Sequence, residues 1–67
     1  MYYQIKNHII YLPCVITAEA AWSSYVPAIL INLTGAKYVT TIEFSNKEER
    51  DAAFNALCDE LLKQETT

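Results

Sequence analysis

Only one segment of this chain repeats its apolar residues at helical spacing, and it lies towards the C-terminal end. Phe54, Leu57, Cys58, Leu61 and Leu62 recur at i, i+3, i+4, i+7 and i+8, which places them on one stripe of a helix. Just ahead, Ser45-Asn46-Lys47-Glu48 fits the S-x-x-E capping box, in which the serine oxygen accepts a free backbone N–H and the glutamate reaches back to the cap. Glu48, Glu49 and Asp51 set negative charge where the helix dipole favours it. The spacing predicts one amphipathic helix over residues 46–63. Asn55, Asp59, Glu60 and Lys63 turn to water, and residues 64–67 fray.

Everything before Ser45 reads as strands. Residues 2–6 and 9–12 are β-formers flanking Asn7-His8, a turn by composition because asparagine tolerates positive φ. Pro13 lacks a backbone donor and belongs at a strand end, bulge or edge. Residues 14–17 form the next β-like run. The segment Ala18 to Trp22 is ambiguous: its alanines and glutamate favour helix, but five residues are too few to nucleate one alone. It is read as a continuing strand, with a helical turn as the alternative. Ser23-Ser24 signals a loop, and the next regular strand is expected from Ala28 to Leu33, after Pro27. The single glycine, Gly35, sits between two β-rich runs and supplies a positive-φ position for a hairpin. Residues 38–44 alternate cleanly, with Tyr38, Thr40, Ile42 and Phe44 on one face.

Strands first and helix last give an α+β fold: one domain over residues 1–67, an antiparallel β-meander of three to five strands, and the C-terminal amphipathic helix packed on one face. The chain has 67 residues, of which 52% are hydrophobic. A core this small supplies roughly 3–5 kcal/mol of net stability, so chains of this size commonly need a partner subunit, a metal or disulfides. The composition is more apolar than such a monomer easily hides, which points to a partner surface.

Charge and residue types exclude several functions. A net charge of −3 and five dispersed basic residues give no patch to replace counterions on phosphate, so no nucleic-acid partner is expected. No apolar run approaches a membrane span and no basic leader precedes one, so the chain is read as cytoplasmic with no membrane association. Two cysteines, Cys14 and Cys58, read as buried reduced thiols, although a bridge between them is open from sequence. Dinucleotide and phosphate loops need more than one glycine. The carboxylates are strung along a helix instead of converging on a loop, so no metal is expected. His8 in a predicted turn has no nucleophile assignable to it. No catalytic residues, cofactor or metal ligands are therefore assigned, and the chain is read as no enzyme.

The aromatic residues carry more weight. One helix covers one sheet face, and strand side chains alternate, so a second face or an edge is left for a partner. Tyrosine and tryptophan suit that role, with large contact area and few rotors to freeze. The most apolar stretch outside the helix names the candidate interface: Tyr25, Ile29 and Ile31, or their alternates Leu30 and Val26 on the other face, together with Trp22, the register being open from sequence. The expectation is a homo-oligomer, a dimer first, since a two-fold dimer is the commonest soluble assembly.

In layout, Ile5 to Leu12, then Tyr38 to Phe44, then Ser45, Glu48, Glu49, Ala52 and Ala53, the chain resembles short uncharacterised proteins of bacteria and their phages. There a strand pair leads through a hairpin into an F-x-S/T-x-E-E-x-x-A-type helix start. The resemblance implies a small accessory protein and transfers no functional residue. Two functions follow as expectations. The first is a non-enzymatic protein-interaction module that self-associates through an apolar, Tyr/Trp-containing sheet face or edge. The alternative is a phage- or mobile-element-encoded inhibitor or sequestering protein, acting on a host protein or small signalling ligand.

Overall fold

Short connections make sequence neighbours pair, and this chain follows that rule within each of its two sheets. The computed structural model describes residues 1–65. Five strands, β1 (Tyr2–Ile5), β2 (His8–Tyr11), β3 (Val15–Ser23), β4 (Val26–Leu33) and β5 (Thr40–Glu43), precede one helix, α1 (Lys47–Glu65). A 3-10 turn at Leu12–Cys14 links β2 to β3. All pairings are antiparallel, in two sheets: the hairpin β1–β2 and the meander β3–β4–β5. The α+β class and the strand-then-helix order are those the sequence predicts.

Turn chemistry moves several boundaries. Ser24 and Tyr25 both take positive φ, 50° and 71°, as a two-residue type I′ hairpin turn requires. Ser23 is therefore the last residue of β3, paired with Val26, and Trp22 pairs with Pro27. The sequence placed Ser23 in a loop and started the strand at Ala28. Pro27 is accommodated because its backbone faces β5: its carbonyl accepts from Phe44 N–H at 2.8 Å, just past the end of that strand, so the missing donor costs one terminal ladder bond. Ala18 to Trp22 is strand, as read.

In the first hairpin Ile5 pairs with His8, so the turn is Lys6–Asn7, not Asn7–His8, and the positive φ (52°) falls on Lys6. Gly35 takes φ 80°, the role foreseen for it. Thr34 N–H then bonds the Cys14 carbonyl, Tyr38 and Val39 stay exposed in the loop, and β5 begins only at Thr40.

One face of the three-stranded sheet makes the core. Ile29 and Ile31 of β4 and Ile42 of β5 meet Ile5, Ile10 and Leu12 from the hairpin side and Leu57 from α1. Hairpin and helix thus share one sheet face. The line of α1 that meets the sheet runs through Arg50, Ala53, Leu57 and Leu61, about one residue per turn. Leu62 was assigned to the apolar stripe but is 59% exposed. It lies five residues beyond Leu57, about 140° around a helix of 3.6 residues per turn. The cap also shifts by one residue: the Asn46 side-chain oxygen accepts from Glu49 N–H at 2.8 Å, so Asn46, not Ser45, closes the helix start. Gln64 continues the helix, and Thr66 and Thr67 lie outside the described residues.

Leu57 has no exposed surface, whereas Leu61 is half-buried. Leu57→Ala is expected to cost about 2–5 kcal/mol, and Leu61→Ala clearly less. Urea denaturation of the two variants checks this; equal midpoints would contradict the packing.

Candidate interaction surface

Cross-strand partners share a face, so the register sorts the candidate residues. Ile29 and Ile31 lie on the core face and are fully buried under the hairpin and helix. They are removed from the candidate interface: alternation from Val26 sends every second residue of β4 inward. Val26 and Leu30 fall on the opposite face and are half-buried around Ala28. That outer face is narrow, because Glu19 and Thr41 flank Leu30, and Glu43 flanks Ala28. It is no broad apolar patch.

Trp22 lies on the core face but at its open end, and is 58% exposed. Beneath it sits Arg50, the one buried charged residue among those described, 4% exposed. The Arg50 guanidinium lies 5.3 Å from the Trp22 ring centroid, a cation–π contact. Its Nη1 donates to the carbonyls of Ala21 and Ala28, and its Nε donates to Asp51 at 2.7 Å. Ala21 and Ala28 are register partners, so this one nitrogen enters the gap between β3 and β4 from the helix side. Hydrogen bonds from Lys47 and then Arg50 hold the Asp51 carboxyl below its usual range. Sequence reasoning passed over Arg50. Its signal was a basic residue seven positions before Leu57, on the same helix face.

Tyr25 stands at the hairpin tip and is 97% exposed. A left-handed backbone costs a non-glycine residue roughly 1–2 kcal/mol. Here no packing of the ring offsets it.

The sheet has two edges of different character. Because Pro27 faces β5, alternation turns the backbone of Ile29 and Ile31 to β5, and that of Val26, Ala28 and Leu30 to β3. Thr41 and Glu43 of β5 therefore point outward, but β5 is only four residues long and Lys6 Nζ bonds the Glu43 carbonyl at 2.8 Å. A short edge plugged by lysine is protected. On β3, Ala18, Ala20 and Trp22 turn their N–H and C=O outward over a nine-residue strand. No lysine or proline interrupts it. Ile16 is the extra residue of a bulge between Val15 and Thr17.

Two surface hollows complete the picture. One, of about 350 Å³, runs along the start of β3 and is lined by Pro13, Ile16, Ala18, Cys58 and Leu61 among others. The second, of about 420 Å³, is lined by Lys6, Asn7, His8, Ser23, Thr41, Ile42 and Glu43. His8 Nδ1 is buried there without a hydrogen-bond partner, so neither Ser23 nor Glu43 forms a relay through it. Among the described residues no group of three or more His, Cys, Asp or Glu could hold a metal, and no helix is long and apolar enough to cross a membrane. Cys14 and Cys58 are free thiols. Comparison with family models, with curated proteins and with solved structures gave no match.

Arg50→Met keeps the aliphatic stem and removes the donors. It is expected to lower stability by about 2 kcal/mol, the worth of hydrogen bonds from a charged group, read by urea denaturation. Tyr25→Gly acts in the opposite direction: it releases the left-handed strain and removes no packing, so stability should rise by roughly 0.5–1 kcal/mol. That corresponds to about 4 °C in Tm for a domain of this size, measured by thermal unfolding of dilute protein.

Proposed function

We propose that this chain is a non-enzymatic protein-interaction module that self-associates, and that the native species is a homodimer. The observation that carries this reading is the β3–β4 hairpin tip. It spends backbone strain to present Tyr25 almost fully to solvent, three residues from a largely exposed Trp22 that Arg50 holds in one orientation. Tryptophan and tyrosine are the anchor types that dominate interface energetics. With helix and hairpin occupying one sheet face and carboxylates bordering the other, the aromatic end and edge of the sheet are the surface this reading uses. A cytoplasmic setting agrees with two cysteines kept as thiols.

Light scattering at micromolar concentration tests it. The expected mass is twice the 7.6 kDa of one chain. A single-chain mass at every concentration would reject self-association.

A further inference from the structure

Self-association leaves open which surfaces meet, and the strand edges narrow the choice. We propose that the occupant of the open β3 edge is β3 of a second copy. The two strands run antiparallel about a two-fold axis at Ala20, forming a continuous six-stranded sheet. This rests on the self-association reading and adds the edge, the register and the seat of Trp22.

The register follows from backbone direction and charge. Outward-facing groups belong to Ala18, Ala20 and Trp22, and these must face their counterparts to bond. Centring on Glu19 pairs the strands at full length but sets Glu19 directly against its own copy, a like-charge contact. Centring on Ala20 avoids it and, unlike centring on Ala18, keeps the paired stretch clear of the bulge at Ile16. Ala20 then faces Ala20 of the second copy, Ala18 faces Trp22, Glu19 faces Ala21, and Thr17 faces Ser23. Small side chains at 18, 20 and 21 let the edges approach without obstruction.

The same register seats the indole. Each Trp22 lies opposite Ala18 of the other copy and on the same face, beside the hollow lined by Ile16, Ala18, Cys58 and Leu61. Arg50 occupies one side of the ring and leaves 58% of the residue free to cover that hollow. Each hairpin tip, with Tyr25, then reaches past Thr17 towards the 3-10 turn at Leu12–Cys14. The other sheet edge is unsuited, because Lys6 already occupies the Glu43 carbonyl.

Concentration-dependent hydrogen exchange, read with light scattering, tests this. In the dimer the amides of Ala20 and its neighbours Ala18 and Trp22 become protected as concentration rises. Ala20→Pro removes an outward N–H that β4 does not use, and Ala20→Lys sets two like charges across the axis. Both are expected to leave a folded monomer by circular dichroism. Trp22→Ala is expected to weaken the dimer by about tenfold or more, as loss of a buried aromatic anchor does. Leu30→Lys, on the outer face, should leave it intact. A dimer that survives Ala20→Lys and dissociates with Leu30→Lys would overturn this edge while leaving self-association standing. A monomer at every concentration would overturn both, and give the β3 edge to a strand of a different protein.

Discussion

The three-stranded sheet has one apolar face, and two bodies must share it. Ile29, Ile31 and Ile42 form a row that the hairpin and the helix cover together. Ile5, Ile10 and Leu12 close it from one side and Leu57 from the other. A fully buried aliphatic side chain contributes roughly 1.5–3 kcal/mol, so losing either body exposes enough of that row to consume a small domain's stability. The meander supplies the surface, and the chain's two ends supply its covers. That is why Leu12 N–H bonds the Met1 carbonyl at 3.0 Å, drawing the N-terminal residue into the hairpin.

Arg50 sets where the helix crosses. Burying a guanidinium is costly unless its donors are met, and here Asp51 and the carbonyls of Ala21 and Ala28 accept from it. A hydrophobic contact tolerates sliding along the sheet; a donor aimed into one gap between two strands does not. The arginine therefore fixes the position of α1 along β3 and β4, while Leu57 supplies the burial. Its stacking on Trp22 gives an exposed indole a defined orientation.

Most of the fold was legible because its signals are local and repeated. Alternation in residues 38–44, the helical spacing from Phe54 to Leu61 and the glycine at position 35 each report one segment's own preference. The misplacements arise where tertiary context overrides composition. Lys6 and Tyr25 are not turn residues by propensity, and Ser24 is one without favouring a left-handed backbone, yet register forces positive φ on all three. Asn46 displaced Ser45 because both residues can cap and the sequence does not say which φ/ψ begins the helix. Of the two alternative sets of interface candidates, the one with Ile29 and Ile31 proves to be the covered one, and the sequence could not choose for a simple reason. An apolar run on a central strand shows no contrast between its faces, so only the cross-strand partners reveal which face is covered. Arg50 was missed because a basic residue in a helix is ordinarily a solvated one.

The open β3 edge and the marginal size of the chain belong to one argument. An unprotected nine-residue edge invites uncontrolled pairing, and a 67-residue core leaves little stability to resist opening. Glu19 answers part of this, since it penalises the full-length register in which it would meet its own copy. In the proposed dimer, two-fold pairing about Ala20 would answer the rest: it would consume the edge in both copies and leave no β3 strand free to recruit a third. Binding that requires the folded state also stabilises it by mass action. The strain at Tyr25 is borne without compensation in the single chain, where the ring is 97% exposed, and in the proposed dimer a surface for that ring would offset it.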